Sequence, residues 1–140
     1  MPLQPPGTLY VQVNLNVGGA AYSTKNPGEC NYAPGASIHQ SPGQMWRVRS
    51  RDAGRDLTFT EWRLGKVDSF TLFLTVDGRT HRINTLQVGP PAERAGSGSV
   101  RYEPRGRGGQ FSINGVTDTG MKISGTLACS GFVRPEESSD

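Results

Sequence analysis

Apolar and polar side chains alternate with a period of two in many short segments of this chain. The clearest is residues 8–17, TLYVQVNLNV, in which every second residue is Leu or Val. Successive side chains of a β-strand point to opposite faces, so this pattern predicts a strand with one buried and one wet face. No segment long enough to be a helix shows the 3.6-residue period of an amphipathic helix.

Turn residues separate these alternating segments. Gly and Pro supply 19 and 10 of the 140 residues and are spread along the whole chain. Gly18-Gly19 and Asp77-Gly78 are two-residue hairpin signals, and the second predicts that Leu74 lies opposite His81. We therefore predict an all-β fold, a two-sheet antiparallel β-sandwich of about eight or nine short strands.

The same pattern suggests the limits of the domain. Residues 1–7 read as a flexible linker, 8–133 as the sandwich and 134–140 as a polar tail. Within the domain, residues 25–43 are predicted to form a long loop, with a short strand near Ser37-Ile38-His39 as the alternative, and Asn114-Gly115 is predicted to form a turn.

The apolar side of each alternating segment supplies the predicted core. Its members are Leu9, Val11, Val13, Leu15, Trp46, Val48, Phe70, Leu72, Leu74, Ile83, Val100, Phe111, Ile113, Ile123 and Leu127.

The chain has two cysteines, far apart in sequence. Cys30 and Cys129 lack the C-x-x-C spacing of a redox or zinc site, and their positions near the two ends of the β-rich region predict one structural disulfide. Two buried free thiols in a cytosolic protein are the alternative. Structural disulfides persist in oxidising compartments, so we expect an extracytoplasmic protein.

Charge and hydropathy bear on partners. No apolar run reaches the roughly 18 residues that a membrane span needs. A net charge of +3 is too small to require a nucleic-acid partner, and none is predicted. The opening residues MPLQPPG do not resemble a signal peptide, so a lipid anchor would belong to a longer precursor.

No catalytic or metal constellation is evident. His39 and His81 lack nearby ligand partners, so no metal or cofactor is predicted; calcium held by Asp118 and its neighbouring carbonyl groups is the alternative. No G-x-S-x-G elbow is present. Glu61 and Glu103 are the acids within predicted strands and are expected to face solvent. These observations predict a protein without enzymatic activity.

The alternation of side chains along the predicted strands indicates one sheet face as a candidate for ligand binding. It puts Trp62 and Phe73 on the side opposite the core, with Thr71, Arg82 and Asn84 beside them. A wet sheet face is ordinarily polar, whereas aromatic rings among polar groups suit a flat sugar- or peptide-binding surface.

Two structural alternatives compete with that interpretation. A bulge near Glu61 would turn Trp62 back into the core. Alternatively, the loop formed by residues 25–43 would cover Phe73 as a satellite core.

A second candidate surface is basic. Arg105 and Arg107 lie in the segment PRGRGG, with Arg101 just before it. One such unit resembles an RGG box, which acts by repetition. A basic loop for anionic polymers or headgroups and a plain solvated loop are the two interpretations.

The layout resembles one family. An early Cys, the hairpin segment GSGSVRYEPRGRGGQFSINGVTDTG and the terminal MKISGTLACS are similar in plan to mycobacterial-type 19-kDa lipoprotein antigens and related small envelope lipoproteins. The resemblance implies a surface-exposed, non-enzymatic bacterial envelope protein, and it carries over no catalytic or binding residue.

Three functions are therefore weighed. The first is a secreted or lipid-anchored envelope protein that acts by binding or surface exposure, with a glycan, a peptide or an envelope component as its partner. The second is a carbohydrate- or peptide-binding β-sandwich module. The third is a small hydrolase with no recognisable motif.

Overall fold

A computed structural model describes six ranges of the chain, and within them it contains ten strands and no helix. No helical segment suited to a bilayer crossing occurs in those ranges. The described residues are 10–38, 41–52, 55–64, 67–76, 78–85 and 94–132.

The strands form two antiparallel five-stranded sheets, as the sequence predicted, although the count of ten exceeds the expected eight or nine. The first sheet has the order β2-β1-β10-β9-β8 and the second β3-β4-β5-β6-β7. The strands are β1 (Tyr10–Val17), β2 (Ala20–Pro27), β3 (Glu29–Ile38), β4 (Ser41–Asp52), β5 (Arg55–Leu64), β6 (Val67–Val76), β7 (Arg79–Asn84), β8 (Ser97–Arg105), β9 (Gly108–Val116) and β10 (Lys122–Cys129).

The chain path explains this order. The second sheet is one continuous meander in sequence order, whereas the first is assembled from both ends of the described chain. The β1–β2 hairpin joins it through β1, which pairs with β10, so that Val13 lies opposite Leu127. The two ends of the domain are therefore neighbours in one sheet.

Turn chemistry predicted the hairpins correctly. Gly18 and Gly19 have φ angles of 58° and 93°, in the left-handed region that a tight hairpin between β1 and β2 requires. Across the Asp77-Gly78 hairpin, Leu74 lies opposite His81, as predicted.

The predicted loop at residues 25–43 is wrong. β2 continues to Pro27, and β3 pairs with β4 on both sides of a register shift between Ala33 and Ala36. β3 is an edge strand, and an edge tolerates prolines and irregular register because one side of its backbone needs no partner strand. The Pro and Gly content of this segment therefore suggested a loop, whereas pairing with β4 makes it a strand.

Asn114-Gly115 is not a turn, because β9 continues through Val116 between two partner strands. A side chain at Gly115 would lie 2.6 Å from the Ser97 carbonyl oxygen and 2.9 Å from Ile83 Cδ1. The residue is glycine because neighbouring groups approach the backbone closely, not because the chain reverses there.

The predicted core is confirmed apart from its margins. Val100 is only half-buried and packs against the rim of the core, and Leu9 lies outside the described residues. The buried apolar side chains also include members that the prediction omitted, namely Tyr22, Met45, Leu57, Phe59 and Ala95.

Aromatic rings link the two sheets at one end of the sandwich. Trp46 of the second sheet lies 4.9 Å from Tyr102 of the first, centroid to centroid, and Phe59 lies 5.1 Å from Phe111. Such pairs add to the stabilisation from buried area. This end is therefore filled by rings from both sheets.

The disulfide predicted between Cys30 and Cys129 is present, with Cα atoms 6.3 Å apart. It joins edge strand β3 of the second sheet to β10 in the middle of the first. Both cysteines are buried in the core. The bond therefore links the two sheets through the interior.

Removing this bond should destabilise the domain strongly. The cysteines are 99 residues apart, and the chain-entropy model assigns such a loop about 4–5 kcal/mol. We expect the Cys30→Ser, Cys129→Ser double variant to lose most of that stability in urea denaturation. A reducing agent should lower the midpoint of the wild type and leave that of the double variant unchanged. Equal midpoints for the two proteins without reductant would contradict the prediction.

Adjacent residues of β6 offer a matched test of the strand faces. Leu72 is fully buried and Phe73 is 46% exposed. We expect Leu72→Ala to lower the free energy of unfolding by about 2–5 kcal/mol, because it leaves a cavity. Phe73→Ala should cost less than about 1 kcal/mol. Chemical denaturation measures both, and a similar loss in the two variants would show that Phe73 is structural.

Candidate functional site

The candidate site is the outer face of the second sheet, meaning the side turned away from the first sheet. Strand register places its residues in rows across β4, β5, β6 and β7. One row contains Arg47, Thr60, Thr71 and Asn84, and the next contains Arg49, Thr58, Phe73 and Arg82.

Trp62 and Phe73 bracket the middle of the outer face. They lie on neighbouring strands, and Trp62 pairs with Ser69, four positions before Phe73. At strand spacings their Cα atoms are about 14 Å apart. Phe73 is exposed and Trp62 is half-buried. The two rings are thus separate anchors and do not form one apolar patch.

Both structural alternatives for these aromatics are wrong. Pairing from β4 through β5 to β6 runs without a register shift past Glu61, so no bulge turns Trp62 into the core. The segment expected to cover Phe73 instead forms β3 and the start of β4, at the edge of the same sheet.

A shallow depression of about 460 Å³ lies between the two rings. Its sides carry threonine hydroxyls and two guanidinium groups, and buried Thr60 lies within it. No acidic side chain is among the described residues that line it. They are Arg47, Arg49, Thr58, Thr60, Trp62, Thr71 and Phe73.

Ion pairs neutralise part of the positive charge of the outer face. Arg49 lies 3.7 Å from Glu29 and Arg82 lies 3.4 Å from Asp118, both pairs well exposed to water. Among the described residues, no carboxylate oxygen lies within 4 Å of an Arg47 guanidinium nitrogen, so Arg47 makes no ion pair with them. The depression therefore has an excess of positive charge centred on Arg47.

All five residues that strand alternation predicted for ligand binding lie on the outer face. Thr71 and Phe73 line the depression, whereas Arg82 and Asn84 lie beyond it on edge strand β7. Arg47 and Arg49 were not predicted as part of this site. Their alternation with the core residues Trp46 and Val48 is the signal that turns them outward, but only the pairing of β4 with β5 brings them to the depression.

The basic loop lies on the other sheet and is not part of the outer face. Arg101 and Arg105 lie 3.8 and 3.3 Å from Glu103, between them on β8, while Arg107 is exposed at the hairpin tip. Glu103 therefore offsets part of the positive charge of this cluster.

Glu61 is the main residue that the sequence reasoning misplaced. It was expected to face solvent, but its side chain is 0% exposed, between its strand partners Trp46 and Phe70. Side chains two residues apart in a strand point to the same face, so alternation alone would have placed Glu61 in the core with Leu57 and Phe59. Its acidic character argued against that, because an unpaired carboxylate is costly to bury.

The surroundings of Glu61 explain how a carboxyl group is accommodated there. Burial, and secondly the negative charge of Asp68, raise the pKa of Glu61 to about 8, against a partial offset from Arg63. Arg63 Nη2 lies 3.9 Å from Glu61, while its Nε donates to Asp68 at 2.8 Å. Glu61 is consequently protonated and uncharged at neutral pH.

Metal ligands do not converge on a common point in the described ranges, where no group of three or more His, Cys, Asp or Glu side chains occurs. His81 is buried, with Nδ1 2.8 Å from the Thr119 hydroxyl. Asp118 accepts a hydrogen bond from the Arg82 backbone N–H at 3.1 Å. His39 lies outside the described residues.

The raised pKa of Glu61 predicts a stability that falls as pH rises. Between the unfolded value near 4.5 and the folded value of about 8, the folded state binds more protons than the unfolded state. The contribution of protonated Glu61 to the free energy of unfolding is therefore complete below about pH 4.5. From there to about pH 8 this contribution falls by up to about 1.4 kcal/mol for each pH unit. Glu61→Gln should remove this part of the pH dependence and gain stability over the wild type toward pH 8.

Urea denaturation of both proteins between pH 4.5 and pH 8 measures the effect. Glu103→Gln removes a carboxylate at the surface of the first sheet instead and serves as the matched control. A difference between Glu61→Gln and wild type that is constant with pH would contradict the prediction.

Comparisons with known proteins give no likeness from which a function could be carried over. No protein-family model, curated protein or solved structure matches this chain.

Proposed function

We propose that this chain is a non-enzymatic, extracytoplasmic binding domain of the bacterial cell envelope, and that the outer face of its second sheet holds an acidic polysaccharide. The observation that carries the proposal is the depression between Trp62 and Phe73, which has guanidinium and hydroxyl groups on its sides.

Each kind of side chain on the outer face has a part in this proposal. An aromatic ring presents a flat apolar area against which a sugar ring packs. The hydroxyls of Thr58 and Thr71 can donate to and accept from sugar hydroxyls. Arg47 presents a planar fork of donors that matches a carboxylate.

The spacing of the rings favours a polymer over a single sugar. Two anchors about 14 Å apart, separated mainly along the strand direction, suit an extended ligand that lies along the strands. A folded protein partner fits less well, because a stable interface buries about 800 Å² per partner around an apolar centre. The middle of the outer face instead carries Thr60 and Thr71.

The disulfide supports the proposed compartment. Cys30 and Cys129 are joined, and such bonds are rare in cytosolic proteins of mesophiles. The resemblance to small envelope lipoproteins agrees with this compartment. On this proposal a lipid anchor in the full-length protein would hold the domain at the cell surface, where acidic polysaccharides occur.

Calorimetric titration with oligogalacturonate and with an uncharged maltooligosaccharide of equal length tests the proposal. We expect the acidic oligomer to bind more tightly and its affinity to fall with added salt, because exposed charges are screened. Trp62→Ala and Arg47→Gln should each weaken binding by roughly tenfold. Trp62→Ala should leave the urea midpoint nearly unchanged.

Arg101→Gln is the matched control, since it removes one arginine from the first sheet and should leave binding unchanged. A loss of binding in Arg101→Gln but not in Arg47→Gln would move the site to the basic loop. No binding of the acidic oligomer, or equal binding by Trp62→Ala and wild type, would refute the proposal.

A further inference from the structure

A second cavity lies at the end of the sandwich where the β1–β2 turn and the β6–β7 turn meet. It is a cleft of about 540 Å³, within the range of small-molecule sites. Glu61 is six positions along β5 from Arg55, which lines the cleft, so the aromatic-filled end lies about 20 Å away. The two ends of the sandwich thus differ: one is filled with rings and the other is open.

The lining of this end cleft combines apolar and cationic side chains. Val17, Val76 and Met121 supply much of its apolar wall, and small residues leave the space open. Arg55, Arg79 and His81 supply its polar part, and no described lining residue is acidic. The remaining lining residues are Gly18, Ala20, Ala21 and Tyr22.

The two arginines of the end cleft have different environments. The Arg55 guanidinium lies 4.4 Å from the centroid of the Tyr22 ring and so forms part of the wall. Arg79 is exposed at the start of β7 and makes no ion pair with any residue that the structure describes. Arg79 is therefore the guanidinium that can turn toward an anion in the cleft.

Hydrogen bonds connect His81 Nδ1 to a pair of threonine hydroxyls. Thr117 Oγ1 accepts from the backbone N–H groups of Met121 at 3.1 Å and Thr119 at 3.3 Å, which uses both of its lone pairs. Its own hydroxyl must then donate to Thr119 Oγ1, 2.8 Å away. Thr119 Oγ1 lies 2.8 Å from His81 Nδ1, to which its hydroxyl can donate.

With the Thr119 hydroxyl as the donor to Nδ1, neutral His81 carries its proton on Nε2. In the part of the chain that the structure describes, Nε2 has no hydrogen-bond partner, while the ring lines the end cleft. An N–H donor held by the threonine pair is therefore available next to Arg79.

We infer that the end cleft binds an amphipathic carboxylate, a fatty-acid-type ligand. Its carboxylate accepts hydrogen bonds from Arg79 and from His81 Nε2, and its aliphatic chain lies along Val17, Val76 and Met121. A guanidinium and an imidazole N–H donor beside apolar side chains match a ligand with one anionic end and one apolar end. This site is separate from the outer face and does not depend on the polysaccharide proposal.

Calorimetric titration with dodecanoate, dodecan-1-ol and acetate separates the two halves of this ligand. We expect dodecanoate to bind at least roughly tenfold more tightly than either of the others, because only it uses both parts of the cleft. Equal affinity for dodecanol would overturn the role of the cations, and no binding of dodecanoate would overturn the site.

Two variants locate the binding in the cleft. Arg79→Gln should weaken dodecanoate binding by roughly tenfold, whereas Arg105→Gln, at the exposed β8–β9 hairpin, should not. Ala20→Phe places a large side chain at the cleft mouth, at an exposed position, and should block the ligand without lowering the urea midpoint. Unchanged binding in both cleft variants would overturn the inference.

The state of His81 can be read without any ligand. ¹⁵N shifts of the imidazole should show the neutral ring protonated on Nε2, and Thr119→Val should remove that preference. A ring protonated on Nδ1 would overturn the donor role of His81. Trp62→Ala should leave dodecanoate binding intact, so a failure of this site is distinguishable from a failure at the outer face.

Discussion

The two sheets bury their inner faces against each other, and each strand takes part in that burial with every second residue. In β5 and β6 this constraint puts Leu57, Phe59 and Leu72 in the core. The same parity leaves Trp62 and Phe73 on the outer face. The candidate ligand surface is thus a consequence of core formation, because the strand residues that do not point into the core point to the outer face of the sheet.

Glu61 occupies a core position with a side chain that ordinarily stays in water. It is tolerated because burial and Asp68 keep it protonated, and because Arg63 links the two acids electrostatically. A neutral acid among aromatic rings costs less than a buried charge, but neither of its oxygens has a hydrogen-bond partner within the described ranges. The filled end of the sandwich therefore contains a buried carboxyl group, which is the source of the predicted pH dependence.

The open end has the opposite character. There the β1–β2 hairpin of the first sheet supplies small residues, the second sheet supplies Arg55 and Arg79, and the cleft remains unfilled. Loops gathered at an end of a β-sandwich are a usual place for binding residues, because they add chemistry without disturbing the core. The two proposed sites thus use regions that the packing of the sheets leaves available: one outer face and one end.

The sequence by itself determined the fold class and the register of β6 with β7 across the turn at Gly78. It also determined the pairing of Cys30 with Cys129 and the shared face of Trp62 and Phe73. These features depend on local alternation, turn chemistry or the small number of cysteines. Tertiary structure alone decided that β1 pairs with β10, that residues 29–38 form an edge strand, that Arg47 joins the outer face, and that Glu61 is buried. The physical reason is that the period of a strand shows which residues share a face, whereas its neighbouring strand and the depth of each side chain depend on contacts between residues far apart in the chain.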